Sequence, residues 1–153
     1  MSHTWIFQSN PARFDIDSYL VNSAGEVAWL VTTNAKKISV GDTVYLWRSG
    51  KDGGIVAEAE ISKPVWVGPD TPEALPYWRK PGNGSTVATR VTLRLRRVAS
   101  RQEMLRRDWL KADHELQTLT IIRQPNGTNY SVNPDHAARL AALWANPSCR
   151  PSG

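Results

Sequence analysis

From the N-terminus, apolar positions first bunch in TWIFQ (residues 4–8) and stop at Ser9, Asn10 and Pro11. A short apolar run with turn formers behind it predicts a strand. Phe14, Ile16, Tyr19 and Leu20 then fall at helical spacing and are closed by Gly25, so a short helix is expected. EVAWLV (26–31) predicts a second strand. After a turn at Gly41–Asp42, TVYLWRS (43–49) is rich in strand-forming residues. GKDGG (50–54) reads as a hairpin connection, and IVAEAEISK (55–63) alternates apolar with polar as a half-buried antiparallel strand does.

Regularity then lapses. Residues 64–86 hold five prolines, three glycines and two tryptophans, an irregular excursion longer than a connector requires. VATRVTLRLRRV (87–98) alternates again, with one basic face. Ser100 precedes Glu103 at capping-box spacing, which predicts a helix running to about Leu110. TLTIIRQ and TNYSV read as strands around a PNGT turn. Asn133 as N-cap and Pro134 in the first turn open a last helix that stops before Pro147. About six mostly antiparallel strands with two or three short helices predict an α+β domain on a curled sheet or small barrel.

At 153 residues the chain fits one domain, taken as 1–147 with a flexible tail over 148–153. Its 41% hydrophobic and 22% charged content is ordinary for a globular protein. A net charge of +5 and a pI of about 9.7 suit a polyanionic partner, although a basic surface without such a partner fits the charge equally well. Cys149 is the single cysteine, so no disulfide is expected and the cytoplasm is the natural compartment. Neither a secretory leader nor a membrane-spanning run is expected, and hence no membrane partner.

Catalytic chemistry finds little support. His3, His114 and His136 are scattered, without cysteine or carboxylate at ligand spacing, so no metal site is expected. The Gly–Lys pair in SGKDGG lacks the spacing of a phosphate-cradling loop, and there is no G-x-S-x-G. His114 reads as an exposed histidine at a helix end rather than a general base. The expectation is a protein that is not an enzyme and uses no cofactor.

Tryptophan changes the picture. Seven in 153 residues is several times the usual frequency, and tryptophan is hard to bury completely. Trp5, Trp109 and Trp144 sit where core residues belong. Trp29 ends a strand, and Trp66 and Trp78 lie in the irregular excursion, where ligand-binding residues concentrate. Trp47 fits either the core or an aromatic slot, with the balance slightly toward core. Two indoles facing each other would hold a planar base by stacking.

Three blocks, WIFQSNPARFDIDSYL, ISVGDTVYLWRSGKDGGIVAEAEI and IIRQPNGTNYSVNP, occur in an order that resembles the EVE domain family. That family belongs to the PUA-like superfold and is related to the YTH readers of methylated adenine. The resemblance implies a pseudo-barrel flanked by helices, with a pocket for a modified nucleobase flipped from its strand. In the related YTH readers a K-S-N-like motif after the first strand lines the pocket; Gln8, Ser9 and Asn10 stand in its place here, without the basic residue. By the same resemblance Trp29 forms one cage wall, backbone at Leu30 and Val31 meets the base edge, and the second wall comes from Trp66 first or Trp78 second.

Hydrogen bonds from Ser9, Asn10 or Asn34 would complete the reading of the base. Arg48, Arg79, Lys80, Arg90 and Arg123 are the candidates for flanking phosphates, although any one of them is more often a solvated surface charge. The leading expectation is therefore a non-catalytic reader of modified bases in DNA or RNA, of 5-methylcytosine or N6-methyladenine type. Many relatives serve in restriction and phage defence fused to a nuclease; this chain would act alone, through such an effector partner, or as an excised domain. Two other readings stand beside it: a small RNA-processing or nucleotide-modifying enzyme of PUA-like fold, and a binder of a planar metabolite.

Overall fold

The computed structural model describes residues 2–80 and 82–146; Cys149 and the tail expected over 148–153 lie outside the described residues. Strands β1 (Thr4–Ser9), β2 (Glu26–Leu30), β3 (Thr43–Arg48), β4 (Gly54–Ile61), β5 (Trp66–Gly68), β6 (Ala88–Val98), β7 (Leu105–Arg106) and β8 (Asn129–Val132) form one curled mixed sheet. Its order is β2-β6-β4-β3-β1-β8, with β5 paired to β6 and β7 to β4. Four short helices, α1 (Ile16–Asn22), α2 (Arg107–Ala112), α3 (Thr120–Arg123) and α4 (Pro134–Ala145), flank it. The expected α+β class, a curled sheet flanked by short helices, is therefore present, with more strands than sequence patterning indicated.

The middle of the sheet explains the uninterrupted apolar runs. β1 and β3 pair in parallel, Thr4 opposite Thr43 through Ser9 opposite Arg48. Both strands are covered on both faces, so their residues are apolar at successive positions rather than alternate ones. Trp5, Phe7, Val44 and Leu46 enter one core, while Ile6, Tyr45 and Trp47 enter the other. Trp47 is 2% exposed and belongs wholly to this second core, since alternation along β3 puts it on the face of Tyr45.

The second core is sealed by α2, α3 and α4 through Leu110, Ile121, Leu140, Leu143 and Trp144. The start of α4 is as the sequence predicts: the Asn133 side chain accepts from the backbone N–H of His136 at 2.8 Å. Near its end the Arg97 guanidinium donates to the Trp144 carbonyl at 3.0 Å and lies 4.3 Å from the centre of the indole. A cation there complements the negative end of the helix.

Three local expectations differ from what is found. TLTIIRQ, expected as a strand, carries the single turn α3 instead. Local bonds from Ile122 to Leu119 and from Gln124 to Thr120 satisfy its backbone while Leu119 and Ile121 stay buried. Ser100 and Glu103 do bond each other, at 3.1 Å through the serine hydroxyl, but they close an isolated turn. The chain then forms β7, and the helix starts only at Arg107. Within the irregular excursion, Trp66–Gly68 adds a short strand by pairing with Ala88–Arg90.

Candidate functional site

Where β1 ends, the chain must leave a sheet covered on both faces, and a cavity of about 680 Å³ opens beside it. Gln8, Ser9 and Asn10 from the end of β1 line one side, followed by Arg13 and Phe14 from the turn into α1. Ala28, Trp29 and Leu30 of β2 and Ala88 and Arg90 of β6 form the sheet wall. Asp70, Trp78, Asn83 and Thr86 from the irregular loop and residues 125–128 close the remainder. Volumes of about 300–1,000 Å³ are usual for small-ligand sites.

The loop over 69–86 is irregular but tethered at both ends. Residues 77–79 run against 13–15, with Asp15 donating to the Tyr77 carbonyl at 2.8 Å and Arg79 to the Arg13 carbonyl at 3.0 Å. Phe14 meets the Trp78 ring edge-on at 5.0 Å. Asp70 N–H donates to the Gly84 carbonyl, and the Trp78 indole N–H donates to Asp70 Oδ2, both at 2.8 Å. Gly84 is the residue this packing permits: a Cβ there would come within 2.5 Å of Trp78 Cδ1 and 2.7 Å of its Nε1.

Beneath the loop lies a buried ion pair. Arg90 is 2% and Asp70 5% exposed at the side chain, with Nη1 to Oδ2 at 3.4 Å. Arg90 also donates to the carbonyls of Gly68 and Thr86, each at 3.1 Å, and so ties the two ends of the loop to β6. Close by, burial pushes the Tyr19 hydroxyl up to about 12, the hydrogen bond from Ala28 N–H opposing that rise and the nearby Asp70 charge adding to it.

Of the four aromatic candidates, Trp29 and Trp78 are brought to the cavity. Trp29 packs into the first core with its N–H donating to the Gln8 carbonyl at 3.3 Å, and Trp78 is half-buried. Trp66 does not line the cavity. Its place on β5 turns it toward Thr92, whose hydroxyl accepts its N–H at 3.2 Å. Trp47 is in the second core.

Among the polar candidates, Ser9, Asn10 and Leu30 line the cavity and Val31 and Asn34 do not. The Leu30 carbonyl already accepts from Asn129 at 3.1 Å, and the Val31 N–H donates to Thr89 at 2.9 Å, so those backbone groups are engaged in holding β2. Asn34 takes a left-handed conformation at φ 62° and directs its amide at the Asn129 carbonyl.

The basic candidates also divide. Arg90 lies at the cavity but is buried and paired. Arg48 bonds Asp17 at 3.1 Å beside a separate cavity of about 470 Å³. Arg79 is occupied by the Pro11 carbonyl, and Lys80 and Arg123 are exposed but do not line the cavity. Sequence reasoning missed Arg13, an exposed cation in the lining with no side-chain partner among the described residues. It also missed Asp70, Asn83 and Thr86. Arg13 stands in the first of the three resembling blocks and the 125–128 turn in the third, the signals by which they could have been found.

Among the described residues no group of three or more His, Cys, Asp or Glu side chains is placed to hold a metal ion. No helix among them is long and apolar enough to cross a membrane.

The chain matches the family model of the EVE domain over residues 3–143. Its structure is similar to that of a hypothetical protein from Leishmania major, at 20% identity over 97% of this chain and 98% of that one, with a TM-score of 0.68. It is similar to human THYN1 protein in complex with 5-methylcytosine-containing DNA, at 14% identity over 95% and 99% of the two chains, with a TM-score of 0.69. ZmASCH from Zymomonas mobilis is more distant, at 9% identity, 92% and 98% coverage and a TM-score of 0.55. Among curated proteins none matches. Likeness at these identities is a likeness of fold.

Proposed function

The chain belongs to the EVE domain family, and from that footing we propose that it is a non-catalytic nucleic-acid-binding protein whose cavity accepts a single modified nucleobase flipped out of its strand. The carrying observation is the cavity that meets both Trp29 and Trp78, with polar groups of Ser9 and Asn10 beside them and the uncommitted Arg13 on the lining. A similar fold binds 5-methylcytosine-containing DNA in human THYN1, so a 5-methylcytosine-type base in DNA is the first ligand to try.

In this reading each part has a separate task. Trp78 supplies a stacking face worth about 1–3 kcal/mol, which offsets the few kcal/mol needed to flip a base. Trp29, held from behind by the core, limits the depth of the cavity. Ser9 and Asn10 meet the base edge. Arg13 contacts a flanking phosphate, a contact that sets position and adds salt dependence without carrying sequence information. A methyl group favours binding by about 0.8 kcal/mol where it fills dry space, and so gives modest selectivity.

The test is fluorescence titration with short oligonucleotides that differ only in one 5-methylcytosine or cytosine, repeated at rising salt. Tighter binding of the methylated strand, lost in Trp78→Ala and kept in Trp66→Ala, is the expected result. Failure of every strand to bind at low salt overturns the reading. Salt-independent binding of a neutral planar compound in the same cavity would replace it with a metabolite-binding function.

A further inference from the structure

The buried pair under the loop does more than fasten it. Asp70 Oδ2 accepts from Trp78 Nε1 at 2.8 Å and faces Arg90 Nη1 at 3.4 Å, while Oδ1 accepts from Thr71 N–H at 2.9 Å. A carboxylate has about four acceptor positions; the described residues occupy three of those on Asp70, and the one that remains is on Oδ1. Arg90 likewise commits Nε, one Nη2 hydrogen and one Nη1 hydrogen out of about five N–H donors. Both side chains line the cavity although both are almost wholly buried. An acceptor and a donor therefore stand side by side in a wall from which bulk water is largely excluded.

We propose that Asp70 recognises the exocyclic amine of the base in this cavity, with Arg90 as the adjacent donor to its unprotonated ring nitrogen, so that the cavity takes amino-bearing bases of cytosine or adenine type. This rests on the proposed reader function and adds the residue that selects the class of base. The chemistry follows from the edges of the bases. A flipped base is read along its Watson–Crick edge. There cytosine and adenine present an amino donor beside an unprotonated ring nitrogen, while thymine, uracil and guanine present at the same two places a carbonyl oxygen beside a ring N–H, the reverse order for the Asp70–Arg90 pair. An ionised carboxylate can only accept. A carbonyl oxygen set against Asp70 would meet like charge and leave both acceptors unpaired in a low-dielectric site, where that is most costly. N6-methyladenine and 5-methylcytosine each keep an amino hydrogen and remain acceptable. Ser9 and Asn10, which can donate as well as accept, could not impose this choice.

The deciding comparison uses single strands identical but for one position, bearing 5-methylcytosine or thymine. The two bases share ring and methyl group and differ in the amine that thymine replaces with a carbonyl. Wild-type protein is expected to bind the methylcytosine strand about tenfold or more tightly than the thymine strand. Asp70→Asn, whose amide can present either a donor or an acceptor, is expected to bring the two affinities within about twofold. If circular dichroism finds that Asp70→Asn fails to fold, Asp70→Glu keeps the charge for Arg90 while shifting the acceptor, and its preference for methylcytosine should fall. Equal binding of both strands by wild type, or undiminished preference in a folded Asp70 variant, overturns the proposal and leaves the reader function standing. No binding of any strand at low salt removes both.

Discussion

On one side of the β1–β3 pair, Ile6, Tyr45 and Trp47 are covered by three helices; on the other, Trp5, Phe7, Val44 and Leu46 are covered by α1 and approached by the 69–86 loop. The helical side is filled. Trp47 and Trp144 are 2% and 4% exposed there, and Arg97 holds the end of α4 against the sheet. The loop side keeps a cavity of about 680 Å³, and what holds it open is polar: a buried ion pair, an indole–carboxylate bond and a glycine under a tryptophan. Apolar side chains alone would close such a space, because packing rewards every atom that fills it. Directional bonds to Asp70 and Arg90 fix Trp78 at a set place without filling the space in front of it.

The largest expected effect that bears on this difference comes from Arg90→Met. It leaves Asp70 buried without its partner and frees both ends of the loop, so a loss of about 3–5 kcal/mol in unfolding free energy is expected, measured by denaturant titration. A loss below about 1 kcal/mol would mean that the pair behaves as an exposed one.

Next comes the contrast between two tryptophans. Trp47→Ala empties a filled core and should cost about 3–5 kcal/mol of stability, with affinity per folded molecule for a methylcytosine strand unchanged. Trp78→Ala should reverse the balance, losing about 1–3 kcal/mol of binding with less loss of stability. The comparison between the two sides breaks if both variants lose the same property.

A smaller effect is expected from Arg13→Ala. If that cation meets a phosphate, the slope of log affinity against log salt should decrease by about one for any strand, modified or not. An unchanged slope would remove Arg13 from the interface.

The smallest effect falls on both sides alike. Burial pushes Tyr19 in the loop-side core and Tyr45 in the helix-side core up to about 12 from an ordinary 10.0. The unfolded chain therefore releases these protons first. The stability they contribute is complete below pH 10 and falls as pH rises from 10 toward 12. Tyr19→Phe and Tyr45→Phe should each flatten that alkaline decline in thermal unfolding profiles, and an unaltered profile in both variants would assign it elsewhere.

Much of the fold was legible because its signals are local. The alternation in 55–63 and 87–98, the Asn133–Pro134 helix start and the doubly apolar run of TVYLW each report their own surroundings. The short pieces were not legible for the converse reason. Leu119 and Ile121 have the apolar spacing of a strand but are satisfied by one helical turn, and Trp66–Gly68 becomes a strand only because Ala88–Arg90 returns beside it. The candidate site divides in the same way. Ser9 and Asn10 lie in the first of the blocks whose order resembles a family, and Trp29 ends a strand that its own apolar run predicts. The choice between Trp66 and Trp78 depended on a loop tethered by partners distant in sequence, Arg79 to Pro11 being 68 residues apart, with Asp70 to Arg90 among the nearer ones. Arg90 reads in sequence as one more cation on a basic strand face; its burial comes from the loop that folds over it.

The most direct test of the claim that ligand meets the loop side and not the helical side is nuclear magnetic resonance of the seven indole N–H groups, observed while a methylcytosine-bearing strand is added. The expected result is displacement of the Trp78 and Trp29 signals, with those of Trp47 and Trp144 unmoved. Displacement of Trp47 and Trp144 with Trp78 stationary would contradict the account.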